Sequence, residues 1–383
     1  MKIVFDRKLL CEVFPPLMCA VSNKSTIPAI EGVLIEAVSG GNCLLTTYDT
    51  DKGIRTSVEA KIYEPGSYII NAQKFYQIVR VMKGDEIELT VDDRLSAKFV
   101  SGKATHRMSA LNGFDFPALP EISHDKGFVI GQSVLKKMLS KISHAMAVDD
   151  TRQILNGCFF RVENDRLTLV SCDTINLAKC SRKADIKNSG AESSVLDFSF
   201  IVPVRTVNEL LKLLSDDEEE TVEIYMTRKN IVFILGDVTF FSRLIDGEYL
   251  DYNRVILKNH KIKVTVDREA LLSALDHAAL VTEERLAGSV PAHVKLEFDG
   301  DLLKVMANSS GGSIYDEVAI GHQGDNLLIG FNNKYLINGI KACSGEKVVM
   351  SLSSPLTSMN VEPVDNNDES EELFMFLPVK MKE

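Results

Sequence analysis

KIVFDRKLLCEVF (Lys2–Phe14), FVIGQSVLKKMLSKI (Phe128–Ile142) and IKVTVDREALLSALDHA (Ile262–Ala278) open three stretches of the chain in the same way. Each starts as a short alternating strand, passes a polar or acidic cap such as Asp6 or Asp267, and continues with apolar residues at helical spacing. Roughly 25 to 35 residues later comes a strand of similar character: NCLLTTYDTD from Asn42, DRLTLVSCDT from Asp165 and GDLLKVMANS from Gly300. A second helix recurs in AQKFYQIVRVMK, VRTVNELLKLLS and NNKYLINGIKAC. Each carries a basic residue near its start, Lys74, Arg205 and Lys334, spaced by 131 and 129 residues.

Around these helices lie segments with strand patterning, among them EIELTVDD, AKFVSGKATHRMSAL, the long run Thr221–Ile245, KVVMSLSS and SMNVEPV. Two helices and many strands in a unit of about 125 to 130 residues predict an α+β fold, not alternating βαβ. The loops Ile122–Gly127 and Leu257–Lys261 divide the chain into three expected domains, 1–124, 125–259 and 260–383. Pro15 and Pro16 predict a kinked or late-starting first helix. The acidic run SDDEEE (Ser215–Glu220) reads as a solvated loop, since consecutive carboxylates point apart and do not converge on a metal.

Composition bounds the function. The chain has 383 residues, 45% hydrophobic and 25% charged, enough for a sizeable core and about two to three domains. A net charge of −11 favours solubility and argues against a uniformly basic nucleic-acid binder. No apolar run approaches the roughly 18 residues of a membrane span, and MKIVFDRKLL lacks the apolar stretch of a signal peptide. A cytoplasmic protein without a membrane partner is expected. Seven scattered cysteines, never paired as C-x-x-C, read as apolar core residues in a reducing compartment.

The common catalytic signatures are absent: no G-x-G-x-x-G, Walker A, G-x-S-x-G or H-E-x-x-H. The seven histidines are dispersed, and the acid pairs Asp92/Asp93 and Asp149/Asp150 read as turn residues. No catalytic residue, metal or cofactor is expected. A threefold repeat also suits a repeated surface better than a single reactive centre.

Charge is partitioned by element. The six helix windows (6–21, 72–83, 132–147, 204–215, 267–282 and 332–343) together carry +7, which leaves −18 elsewhere. Lys and Arg are good helix formers and complement the macrodipole at helix C-termini, which is one explanation. The other is a common positive face, set in an acidic body, that meets the phosphates of a duplex without reading bases. With no Trp and 7% aromatics, the chain lacks the stacking platforms of a single-strand binder.

Over its whole length the chain resembles the bacterial replicative sliding clamps, the beta subunits of DNA polymerase III. The strings that carry the resemblance, in order, are STIPAIEGVLIE (from Ser25), EPGSYIINAQKF (from Glu64), DFPALP (from Asp115), LNGCFFRVENDRLTLVSCD (from Leu155), FIVPVRTVNELLKLL (from Phe200), SRLIDGEYLDYNRVI (from Ser242), IGFNNKYLI (from Ile329) and FMFLPVKM (from Phe374). The resemblance implies three similar clamp domains, each with two helices backed by antiparallel sheets, in a head-to-tail homodimeric ring of six. Helices line the hole, duplex DNA threads it, and the replicative polymerase is tethered topologically. Implied partners are double-stranded DNA without sequence preference, a second copy of the chain, the polymerase III alpha subunit, the clamp loader and other proteins bearing clamp-binding motifs.

By position, the resemblance implies DNA-facing Lys24, Lys74, Arg80, Arg152 and Arg205, to which the helix pattern adds Lys136, Lys137, Lys141 and Lys334. It implies an apolar peptide pocket from Leu155, Cys172, Thr174, Ile175, Asn176, Leu177, Leu250, Arg254, Val255, Tyr335, Ser358, Met375, Leu377, Pro378, Val379, Lys380 and Met381. Its dimer seam would join the edge around Lys103–Leu111, with His106 and Met108, to the partner's third domain near Leu280 and Val281. The chain departs from the family pattern at several points. Thr174, Ile175 and Asn176 replace Gly, His and Arg, which makes the pocket floor less polar. Gln153 and Ile154 stand where aromatics are familiar, Asp149 where a polar amide is, and His106 where a bulky aromatic is. Two other readings stay open: a diverged clamp paralogue with altered partners, and a repeat-built enzyme with a site at a domain interface.

Overall fold

The computed structural model describes residues 1–22, 25–38, 40–191, 196–282 and 293–381. Three successive runs share one element order, strand, helix, four strands, helix, three strands, with one extra two-residue strand in the second. The first comprises β1 (Lys2–Asp6), α1 (Arg7–Met18), β2 (Gly32–Ala37), β3 (Asn42–Tyr48), β4 (Lys52–Glu64), β5 (Gly66–Asn71), α2 (Ala72–Val81), β6 (Glu86–Val91), β7 (Ser96–Ser101) and β8 (Ala104–Asn112). The second has β9 (Lys126–Gly131), α3 (Gln132–Ile142), β10 (Gly157–Glu163), β11 (Arg166–Cys172), β12 (Asn176–Lys183), a two-residue β13 (Lys187–Asn188), β14 (Asp197–Pro203), α4 (Val204–Leu213), β15 (Thr221–Met226), β16 (Asn230–Leu235) and β17 (Val238–Arg243). After the short α5 (Tyr252–Val255) the third has β18 (Ile262–Asp267), α6 (Arg268–Thr282), β19 (Val294–Asp299), β20 (Leu302–Asn308), β21 (Ser313–Gln323), β22 (Leu327–Phe331), α7 (Asn333–Ala342), β23 (Lys347–Leu352), β24 (Met359–Pro363) and β25 (Ser370–Phe376).

Pairing repeats with the order. The first strand of each run joins the three strands after its second helix, as β1-β6-β7-β8, β9-β15-β16-β17 and β18-β23-β24-β25. The other four form β5-β2-β3-β4, β14-β10-β11-β12 and β22-β19-β20-β21. The last strand of such a quartet then pairs with the last strand of the next run: β4 with β17, Gly53 opposite Phe241, and β12 with β25, Leu177 opposite Met375. Because these joints are continuous sheet, the described residues form two compact units. One holds a thirteen-stranded sheet of β1–β9, β13 and β15–β17, and the other a twelve-stranded sheet of the remaining strands.

The helices bury the stripes their spacing predicts. In α1, Leu10, Phe14 and Leu17 are fully buried, and Phe14 meets Phe75 edge-on at 4.8 Å and stacks on Tyr76 at 5.4 Å. The Asp6 carboxylate accepts the N–H groups of Lys8 and Leu9 at 2.7 and 3.1 Å, so α1 starts at Arg7 and runs through both prolines to Met18. The expectation of a late start is corrected: the cap and the buried stripe outweigh the helical hydrogen bonds that Pro15 and Pro16 cannot donate. Asn71 and Asn332 cap α2 and α7 through the N–H groups of Lys74 and Lys334. The run Asp216–Glu220 is exposed. Five cysteines are buried, whereas Cys11 and Cys19 are only half-buried, and all seven are free thiols.

One turn recurs at the same place in each run. The N–H of Asp49 bonds the Lys52 carbonyl at 3.0 Å, that of Asp173 the Asn176 carbonyl at 3.1 Å, and that of Ser309 the Gly312 carbonyl at 2.9 Å. In the first two the Asp carboxylate also accepts N–H bonds from the second and third residues on. Thr50 and Thr174, next in line, both have φ of 80°.

Candidate functional site

The Asp173–Asn176 turn is the hub of the candidate site. It delivers Leu177 to β12, beside Met375 of β25 and opposite Cys172 of β11. Leu155, Cys172, Leu177 and Met375 are buried in one apolar cluster with Ala147, Val170, Ile201, Tyr249 and Leu373, and Leu250 packs against it half-buried. Sequence reasoning missed Ala147, Val170, Ile201, Tyr249, which stacks on Phe159 at 5.0 Å, and Leu373. Strand alternation could have found Leu373, since it lies two residues before Met375 on the same face. Burial pushes the Tyr249 phenol and the Cys172 thiol up, so both are neutral groups in an apolar wall.

The C-terminal tail forms the other border. The Leu377 N–H bonds the Ile175 carbonyl at 2.9 Å, and the Val379 N–H bonds the Gly330 carbonyl at 2.8 Å. Met381 lies over Gly330, where a Cβ would come within 3.1 Å of its side chain. Ile175 and Leu377, bonded neighbours, are each 41% exposed, an apolar rim left in solvent. Pro378 is half-buried and Lys380 exposed. Burial, helped by the charge of the Asp173 carboxylate, raises the phenol of Tyr335 on α7. Ser358 is buried next to Met359, which pairs with Phe376. Arg254 and Val255 are exposed on α5, Arg254 held by Asp251 at 2.9 Å, while their neighbours Tyr252 and Ile256 pack on the cluster. Beyond Leu373 and Ile256 the same face opens into a polar cleft of about 320 Å³ that includes Lys179, Lys263 and Glu371.

The basic residues differ in their settings. Lys74, Arg205 and Lys334 are exposed in the first turn of α2, α4 and α7. A helix dipole disfavours cations there, so the macrodipole does not account for them. Arg80 is exposed in the last turn of α2, its guanidinium 5.6 Å from the Tyr76 ring. Lys137 is exposed and Lys136 half-buried on α3, and Lys24 lies outside the described residues. Arg152 chelates Asp150 at 3.1 and 3.2 Å, holding that carboxyl below its usual range, and its charge also reaches Cys172, at the apolar cluster. Lys141 is a correction. Its ammonium pairs with the buried Glu372 at 2.6 Å and bonds the Ser344 hydroxyl, so it serves packing in place of a DNA-facing surface.

Two long strands keep one edge open. Among the described residues, β8 pairs through Ala104–Ser109 with β7 alone before Ala110–Asn112 join β5, and β21 pairs through Ser313–Ala319 with β20 alone before Ile320–Gln323 join β18. His106 and Arg107 are exposed on β8 and Met108 is half-buried. Asp316 of β21 is half-buried and bonded to His277 of α6 at 2.8 Å, and Glu317 is exposed beside it. Near the end of α6, Leu280 is 79% exposed and Val281 half-buried.

Among the described residues no group of three or more His, Cys, Asp or Glu could hold a metal, and no helix is long and apolar enough to cross a membrane. Burial pushes the thiols of Cys43, Cys180 and Cys343 up to about 12, which leaves them protonated and poor nucleophiles.

A triplicated unit of two helices on two four-stranded sheets, with an apolar groove and basic helix ends in place of a reactive centre, defines a clamp-type binding protein. Family models of the DNA polymerase III beta subunit match in order: the N-terminal domain over residues 1–120, the central domain over 129–251 and the C-terminal domain over 253–378. The chain belongs to this family, the bacterial sliding clamps, which are DNA polymerase processivity factors and not enzymes. It is 29% identical to the beta sliding clamp of Halalkalibacterium halodurans over 99% of this chain and all of that one. Among solved structures, the sliding clamp of Bartonella birtlesii, bound to griselimycin, is 30% identical with a TM-score of 0.89. That of Bacillus subtilis is 26% identical with a TM-score of 0.91, and each covers both chains completely.

Proposed function

We propose that two copies of this chain close head to tail around duplex DNA and hold the replicative polymerase there. The observation that carries the reading is the pairing rule. Two of the three quartets already join the last strand of the next run, β4 to β17 and β12 to β25, and the corresponding stretches Ser313–Ala319 of β21 and Ala104–Ser109 of β8 have no such joint among the described residues. Only a second copy supplies the missing joint, β21 of one chain against β8 of the other, made twice in a dimer. Each run is one clamp domain, with bounds near 1–124, 125–259 and 260–383. Lys74, Arg205 and Lys334, once per domain, with Arg80, Lys136 and Lys137, contact phosphates loosely and without base preference, so the ring slides. Arg152 serves at the edge of the groove.

The groove around Leu155, Cys172, Leu177, Leu250 and Met375 takes short peptides from the polymerase alpha subunit, the clamp loader and other clamp-binding proteins. Burying two or three apolar peptide side chains there contributes roughly 1.5–3 kcal/mol for each one fully buried. The protein acts in the cytoplasm, on the chromosome.

The test is topological. The protein is loaded on nicked circular DNA by a clamp loader and the circle is then linearised. A clamp stays on the circle and leaves free ends. Retention on open linear DNA, or failure to load, would count against the reading.

A further inference from the structure

The first run carries a second copy of the groove's architecture. The turns align Asp49 with Asp173 and Thr50 with Thr174, both threonines at a φ of 80°. Counting outward from them, Tyr48 stands at the place of Cys172 and Gly53 at the place of Leu177. The sheet register agrees, because Gly53 faces Phe241 across β4–β17 just as Leu177 faces Met375 across β12–β25. The apolar clusters beneath correspond as well. Leu34 pairs with Ile69 as Phe159 pairs with Ile201, and Phe116 packs on the first pair as Tyr249 does on the second cluster.

What differs is the filling. At the first place the wall residue is a glycine, and the room it leaves is taken by the chain itself. A Cβ on Gly53 would come within 2.9 Å of the Tyr48 ring and 3.2 Å of a Leu119 methyl. Tyr48 is held over its turn by a bond from its hydroxyl to the Thr50 carbonyl at 3.1 Å. Leu119 comes from the DFPALP segment that follows β8. A bulky ring thus stands where the second run has only the smaller Cys172 thiol, and a leucine from the linker closes over Gly53.

We infer that Tyr48 and Leu119 plug a latent peptide groove in the first run, and that this plug confines partner binding to one groove per chain. The inference rests on the reading of the Leu155–Met375 groove as a peptide site. One groove per chain means a dimer offers two tethering points and no competing internal ones. The plug is local: its side chains are half-buried, and neither belongs to the groove proposed for partners.

The test uses the full-length protein and a fluorescein-labelled pentapeptide carrying two leucines and a terminal phenylalanine. Native mass spectrometry counts peptides per chain, and hydrogen exchange locates them. The wild type should bind one peptide, with protection appearing at residues 172–177. The double variant Tyr48→Cys, Leu119→Ala should bind two, with new protection at residues 46–53. One peptide on a variant that melts like the wild type would overturn the inference, as would two on the wild type. If the double variant fails to fold, Leu119→Ala alone is examined by exchange, and unchanged rates at 46–53 on adding peptide overturn it equally. No binding to the wild type at all would instead remove the peptide-site reading, and the inference with it.

Discussion

The Lys141 ammonium lies 2.6 Å from a carboxylate oxygen of Glu372, whose side chain is only 5% exposed, and it thereby ties α3 to β25. Glu372 also accepts bonds from the Ser344 N–H and hydroxyl, both at 2.9 Å. Removing one member of such a pair strands the other in a place where water cannot replace it. Lys141→Met should cost about 3 kcal/mol by chemical denaturation, and a double cycle with Glu372→Gln should return a coupling energy of about 2 kcal/mol. The salt dependence of DNA retention should stay as in the wild type.

Thr174 holds a φ of 80°, a region costly for a β-branched residue. Thr174→Gly should relieve that strain and stabilise the protein by up to about 1 kcal/mol, after the entropy glycine loses. Thermal melting reads the gain. A fall in melting temperature would show that the threonine side chain is held by contacts that outweigh its backbone.

His144 lies against Phe374, and burial lowers its pKa from 6.5 to about 4, a shift that a hydrogen bond with the Lys141 backbone only partly offsets. Above pH 6.5 the ring is neutral folded or unfolded, so the stability is fully present. As pH falls below 6.5 the unfolded chain takes up a proton that the fold refuses until about pH 4. Stability is therefore lost across that window, by about 3 kcal/mol in full. Denaturation curves between pH 7.5 and 4.5 should show the slope, and His144→Gln should flatten it.

Arg205 and Lys334 are exposed at helix starts, where a cation gains nothing from the dipole. Arg205→Ala or Lys334→Ala should each lower the salt slope of DNA retention by about one, with no change in melting. Equal salt slopes in variant and wild type would remove that residue from the DNA-facing set.

On the open edge of β8, Arg107 would meet an edge of β21 that carries Asp316 and Glu317. Arg107→Glu should weaken the dimer on the order of tenfold in sedimentation equilibrium at low salt, and less at high salt. An unchanged dimer would place the arginine off the seam.

The threefold order was legible in the strings from Lys2, Phe128 and Ile262, because strand and helix periods are local properties of the chain. The groove was legible only by resemblance, since Leu155, Leu177 and Met375 meet through a sheet register that no local pattern specifies. Charge misled at Lys141: counting cations by helix ignores which face each one takes, and this one turns inward to a carboxylate more than 200 residues away. The prolines of α1 misled only about where it starts, because the Asp6 cap fixes that start at Arg7.

The open edges of β8 and β21 also set a hazard for the newly made chain. An edge that seeks the other edge of an identical molecule is not satisfied by a first encounter, because each addition leaves one of each kind exposed. Growth stops only when the last edge finds the first. A joint bent by a small angle from its closing value would keep adding subunits into a fibre, so the twist at this one seam separates a finished assembly from an insoluble polymer.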